Sequence, residues 1–260
     1  MSSLAETYEP VEKLPSAALP DETCEEDEPD EHSPLPRSWW PNVDNLVTED
    51  DTPVDNIFCA KQQRLLVEPL YGSWAGPGEN RPFLADANVA LYASVHDEPV
   101  APDAFLSLDV RAAQARDLSD KRHRSYLFWE FGKPPEVVIE VVSNQKGGEA
   151  DRKLKTYARF RIPYYVIYDP FGNLGPIGMR VFSLTTGEYV EKQDAWFPEV
   201  CLGLTLWHGE YDFIEADWLR WCDQQGHVIL TGGERAEQEH RRAERLAAML
   251  RALGVDPEAE

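Results

Sequence analysis

Residues 135–169 read PEVVIEVVSNQKGGEADRKLKTYARFRIPYYVIYD. Two apolar runs, VVIEVVS and YYVIYD, have the length of strands and the β-branched and aromatic residues that strands favour. The first is apolar on both faces except at Glu140, which suits a central strand covered from both sides. Between the runs, Gly147 and Gly148 supply a turn. Leu154, Tyr157 and Ala158 then recur at i, i+3 and i+4, predicting a helix that begins near Glu149 and closes at Pro163. Strand, helix and strand in that order make a crossover unit, which places two parallel strands in one sheet.

Outward from this unit, PFLADANVALYAS from residue 82, AFLSLDV from residue 104 and RVFSL from residue 180 read as further strands. Upstream, DNIFCAKQQRLLVE (residues 55–68) reads as a helix limited by Pro69. The expected fold class is α/β, a mixed β-sheet flanked by helices. At the C-terminus, GGERAEQEHRRAERLAAMLRALGVDPE reads as a charged helix. Its Ala236, Ala243 and Leu250 repeat at seven, with Leu246 and Leu253 between them, a heptad seam. Two readings of that seam stand side by side: a helix packed on its own domain, or a coiled coil pairing two chains as a homodimer. The expected division is an acidic, disordered tail over 1–50, a domain over 51–225 and the helical segment over 226–260.

The formal net charge is −22, which on its sum disfavours a nucleic-acid partner. Its distribution says otherwise. Residues 1–56 carry 16 acidic and two basic side chains, whereas Arg111–Arg161 carries 12 basic and seven acidic. Stretches such as DETCEEDEPDEHSPLP (residues 21–36) bury too little apolar area to offset chain entropy. Trp39 and Trp40 follow as the expected first contact with the core. The mildly basic middle permits contact with a phosphate backbone, and solvated surface charge explains it equally well. The run His123 in DKRHRSY (residues 120–126) divides the same way, into phosphate contact or basic turn.

Cys24, Cys59, Cys201 and Cys222 are scattered, without a CxxC pair or a histidine cluster. That argues against a zinc site and for reduced thiols in a cytoplasmic chain. No run reaches the ~18 apolar residues of a membrane span, and the first residues carry no secretory pattern. There is no GxxxxGK[ST] loop and no GxSxG elbow. His208 and His227 lack metal-ligand spacing.

The chemistry-bearing constellation is Pro102-Asp103, then Glu140, then Lys153 and Lys155 on the next helix. A carboxylate inside VVIEVV is costly to bury without a partner. A divalent cation shared with a second strand carboxylate is one partner, and a buried arginine is another. Asp103 opens the run AFLSL, which could lie beside VVIEVVS. A cation there would relieve the repulsion of two carboxylates, activate water and stabilise phosphoryl charge. A nearby lysine would add to that stabilisation.

The combination of APDAFLSLDV, PPEVVIEVVS and EADRKLKTYARFRIPYYVIYDP resembles the PD-(D/E)XK superfamily of restriction-endonuclease-like proteins, and within it the Uma2 family, over roughly residues 55–215. The resemblance implies a restriction-endonuclease-like core and a metal-dependent endonuclease acting on DNA. It makes Asp103 and Glu140 catalytic metal ligands, with the main-chain carbonyl of Val141 a further ligand of Mg²⁺ or Mn²⁺. The half-motif's lysine position holds Val142, a departure from the superfamily pattern. The family carries its lysine on the helix, four residues before a tyrosine, which assigns the catalytic lysine to Lys153, four before Tyr157. Lys155 lies about 200° round the helix from Lys153 and points elsewhere. Asn144 and Gln145 replace the family's usual continuation after the glutamate. The alternative function is a catalytically inactive nucleic-acid-binding or dimeric assembly module on the same fold.

Overall fold

The computed structural model describes residues 39–46, 56–74, 76–78, 81–110, 119–143, 149–176 and 178–253. Most of the expected acidic tail, residues 144–148 with Asn144 and Gln145, and the basic residues of 111–118 lie outside the described residues.

In chain order the elements are α1 (Ile57–Gly72), β1 (Phe83–Asp86), β2 (Leu91–Tyr92), β3 (Ala104–Leu108), β4 (Tyr126–Leu127), the short α2 (Phe128–Phe131), β5 (Val137–Val141), α3 (Glu149–Arg159) and β6 (Tyr164–Asp169). Then follow β7 (Gly178–Thr185), β8 (Glu188–Lys192), β9 (Trp196–Phe197), β10 (Leu202–Tyr211), β11 (Ile214–Cys222) and α4 (Gly232–Ala252). A six-stranded sheet runs β1-β3-β5-β6-β7-β8, with a three-stranded sheet β11-β10-β9 and a ribbon β2-β4. In the large sheet only the β5–β6 pair is parallel, as the crossover through α3 requires. This is the mixed α/β architecture expected from the sequence.

The large sheet is the middle layer. Leu106, Ile139, Val166 and Tyr168 face α1 and the small sheet, meeting Leu66, Leu70, Leu219 and Trp221. The alternate residues Phe105, Val138, Tyr165 and Ile167 face α3, meeting Tyr157 and Phe160. Burying both faces explains why β5 and β6 are buried at every position.

Local chemistry sets the element ends. The Asn56 side chain accepts a hydrogen bond from Cys59 N and caps α1. The helix does not stop at Pro69 but carries it in its last turn and continues to Gly72. Leu70 just beyond is fully buried, and the Leu66 carbonyl in the preceding turn accepts the Trp221 indole N–H at 2.7 Å. Tertiary contacts thus repay the bond the proline cannot make. PFLADANVALYAS is not one strand: Asn88 takes a left-handed φ of 56° and splits it into β1 and β2. Of the two tryptophans expected to meet the core first, Trp39 is 73% exposed and Trp40 half-buried, and Val43 and Leu46 are the first buried positions among the described residues.

The β10–β11 hairpin turns through Asp212 and Phe213, both at positive φ, as a two-residue turn matching strand twist demands. Lys61 from α1 pairs with the Asp212 carboxylate and its carbonyl. Buried Gln62 donates to Leu219 O and accepts from Leu219 N, tying α1 to β11 like an extra strand.

α4 is anchored at its first turn. Thr231 and Glu234 form a reciprocal capping box. The Glu234 carboxylate also takes both terminal guanidinium nitrogens, Nη1 and Nη2, of Arg220, which is 1% exposed and stacked on Trp207. Because losing Glu234 strands a buried cation and a helix cap together, Glu234→Ala should destabilise the protein by about 2–4 kcal/mol in urea unfolding. Glu237→Ala, on an exposed position of the same helix, should change stability by less than about 0.5 kcal/mol.

Candidate metal centre

Asp103 immediately precedes β3, after the buried Pro102. The β3–β5 register pairs Ala104 with Ile139, so its continuation sets Asp103 opposite Glu140. Facing residues of an antiparallel pair share one side of the sheet. The Asp103 carboxylate is held at both oxygens: Oδ2 accepts the Val141 N–H at 2.7 Å and Oδ1 accepts the Gln63 side-chain amide at 2.7 Å. The Asp103 side chain thus stands where a further β3 residue would have met β5.

Val142 N–H bonds to Tyr168 O on β6. Backbone groups alternate sides along a strand, so the Val141 N–H and carbonyl both project to the β3 side, toward Asp103.

Glu140 is 7% exposed. Its Oε2 receives the Lys153 ammonium at 2.7 Å and its Oε1 the Tyr157 hydroxyl. Lys153 and Tyr157 lie one turn apart on α3 and so share a face. Lys155 is exposed and does not join them. Burial pushes the Glu140 carboxyl up to about 7; the Lys153 charge opposes that rise and the Asp103 charge adds to it. Burial and the neighbouring Glu140 charge push the Tyr157 phenol well above its usual range.

Asp103, Glu140, the Val141 backbone and Lys153 therefore meet at one end of the β3–β5 pair. Two further residues belong to the cluster. Tyr157, which the sequence places on the helix face of Lys153, is one, through its hydroxyl on Glu140. Gln63, the other, carries no signal of this in the sequence, where it sits in the polar run Lys61-Gln62-Gln63-Arg64 of a helix. His208 and His227 lie elsewhere, each exposed and paired with an aspartate, Asp217 and Asp223 respectively. The basic run Lys121–Arg124 forms a 3-10 turn whose Lys121 binds the carbonyls of Asp44 and Leu46. That lysine pins the segment leading into the domain.

Among the described residues no three or more His, Cys, Asp or Glu side chains converge on a point. The donors at hand are two facing carboxylates and a main-chain carbonyl, all oxygen. Such a set fits a hard divalent cation that keeps several waters, as Mg²⁺ does. It also fits the energetics, since a cation would offset both the burial and the facing Asp103 charge that raise the Glu140 carboxyl.

The family model described as putative restriction endonuclease, Uma2, matches residues 51–208, more than half of the chain. The chain belongs to the Uma2 family. The Uma2 match contains all four clustered positions, Asp103, Glu140, Val141 and Lys153, and ends within β10. It therefore leaves β11 and α4 outside. None of the curated proteins compared with the chain matches it. Membership in Uma2, within the restriction-endonuclease-like superfamily, points to a nuclease.

The raised Glu140 carboxyl has a measurable consequence without metal. Its folded value, about 7, lies above the usual 4.5. Ionising it therefore costs stability as pH rises through that window. In a chelating buffer, Glu140→Gln should match wild type near pH 4 and exceed it at pH 8 by up to about 3 kcal/mol. Thermal melts at the two pH values check this; a gain equal at both would refute it.

Proposed function

We propose that the protein is a divalent-metal-dependent endonuclease that hydrolyses phosphodiester bonds in DNA. The observation that carries this reading is the facing pair Asp103 and Glu140, tied to Lys153, inside a Uma2 chain. Asp103, Glu140 and the Val141 carbonyl would hold Mg²⁺ or Mn²⁺. A cation so held lowers the pKa of a bound water and offsets charge gathering on phosphoryl oxygens.

The chain's own residues supply the rest. The Gln63 amide and the Val141 N–H each occupy one Asp103 oxygen and fix the carboxylate's direction. Tyr157 holds Glu140 Oε1, which orients the side chain and leaves Oε2 for exchange between Lys153 and a ligand. The Lys153 side chain is 21% exposed, so its charge is less screened than on an open surface. It would stabilise the charge that develops on the scissile phosphate.

We assign the nuclease domain to residues 51–225, with the segment 226–260 that carries α4 following it. Among the described residues no helix is long and apolar enough to cross a membrane. Cys59, Cys201 and Cys222 are free thiols, which suits a cytoplasmic setting.

Asp103→Ala and Glu140→Ala should each lower metal-dependent cleavage of plasmid DNA by at least about a thousandfold, and Lys153→Ala by about a hundredfold or more. Mn²⁺ titration calorimetry on wild type and Glu140→Ala should show heat of binding lost in the variant. Cleavage retained by a folded Asp103→Ala or Glu140→Ala protein would reject the assignment. A folded wild type that binds no Mn²⁺, with or without DNA, would instead favour the inactive binding module.

A further inference from the structure

The firmly anchored α4 leaves the body of the molecule after one turn. Besides the Arg220–Glu234 pair, Glu68 accepts Gly232 N–H at 2.7 Å and Arg235 donates to Gly72 O at 3.1 Å. From Gln238 onward every described residue is exposed except Ala247, which is half-buried. The ion pairs along this stretch, Arg241–Glu237, Arg242–Glu239 and His240–Glu244, stay within the helix. The helix is not packed on its own domain. It projects as a rod of 21 residues, about 30 Å long. Its seam ends in apolar side chains open to solvent: Leu246 at 52%, Leu250 at 39% and Leu253 at 78%, with Met249 beside them at 62%.

We propose that this rod is a homodimerisation arm that pairs antiparallel with α4 of a second copy. Charge decides the occupant and its direction. The first half of the helix carries Glu234, Glu237 and Glu239 against Arg235; the second carries Arg241, Arg242, Arg245 and Arg251 against Glu244. The helix is thus complementary to its own reverse. Antiparallel overlap lays the acidic half of each copy on the basic half of the other.

Volume agrees with charge. The seam positions are Ala236, Glu239, Ala243, Leu246, Leu250 and Leu253. Reversed on themselves, they set Ala236 against Leu253 and Ala243 against Leu246, small against large. Glu239 then lies over Leu250, next to Arg251 of the second copy. A parallel pair would instead stack alanine on alanine, leaving holes, and Glu239 on its own copy. Antiparallel pairing also sets the two bodies at opposite ends of the rod, so their anchored first turns do not collide. The inference does not depend on whether the metal centre is active.

Sedimentation of the full chain at tens of micromolar should give twice the chain mass. Leu246→Glu with Leu250→Glu should give the monomer mass, with the circular dichroism of a folded protein retained. Direction is read by disulfide trapping with Cys24 and Cys201 replaced by serine, Cys59 and Cys222 being buried. Ala236→Cys combined with Leu253→Cys should cross-link two chains on mild oxidation, and Ala236→Cys alone should not, because its copies lie about 25 Å apart. A monomeric wild type, a dimer that survives the double glutamate variant, or cross-linking by Ala236→Cys alone would each overturn the proposal.

Discussion

The Glu140 carboxylate lies in β5, between two apolar faces, where an unpaired charge would be expensive. It is tolerated because α3 delivers two partners to it from one helical face, the Lys153 ammonium and the Tyr157 hydroxyl. That requirement fixes much else. It sets the rotation of α3 about its axis, and with it which of Leu154, Tyr157 and Phe160 enter the core. It also makes the β5–α3–β6 crossover a packed unit rather than a mere connection, since the helix is bonded to the strand it follows.

Even so, the pairing is incomplete. Burial raises the Glu140 carboxyl, the Lys153 charge offsets only part of that rise, and the Asp103 charge adds to it. Asp103 belongs to a different kind of support, taking a strand N–H and a helix amide in place of a sheet neighbour. The site therefore sits where the β3–β5 ladder ends and strand backbone becomes available to side chains and ligands. An oxygen-rich point of excess negative charge at such an opening is suited to a cation, and the lysine beside it to a phosphate.

The second buried ion pair serves another purpose. Arg220 is enclosed by Trp207 and bonded to Glu234 and the Ile229 carbonyl. Its role is to orient α4, because the same Glu234 also completes the helix cap. Two buried charge clusters thus stand on opposite duties: one on the face of the large sheet that carries α3, the other at the root of the projecting helix.

Much of this was legible in the amino-acid order. The crossover unit, the central position of β5 and the helix near Glu149 follow from periodicity and turn residues, which act over a few positions. So do Lys153 and Tyr157 sharing a face and the start of α4. Other features had no local signal. The β10–β11 hairpin turns on Asp212-Phe213 without glycine, so nothing in the sequence announces it. Pro69 sits inside a helix because Leu70 and Trp221 outweigh a local breaker. Gln63 looked like any helical glutamine until the fold set it beside Asp103, 40 positions away. The order of residues alone fixed the β5–α3–β6 crossover, the helices α1 and α4, and a carboxylate inside β5. That Asp103 faces Glu140, and that α4 leaves the body instead of folding onto it, emerged from the folded chain alone. Those outcomes depend on strand register and on a buried Arg220–Glu234 pair, which are contacts between residues far apart in the chain.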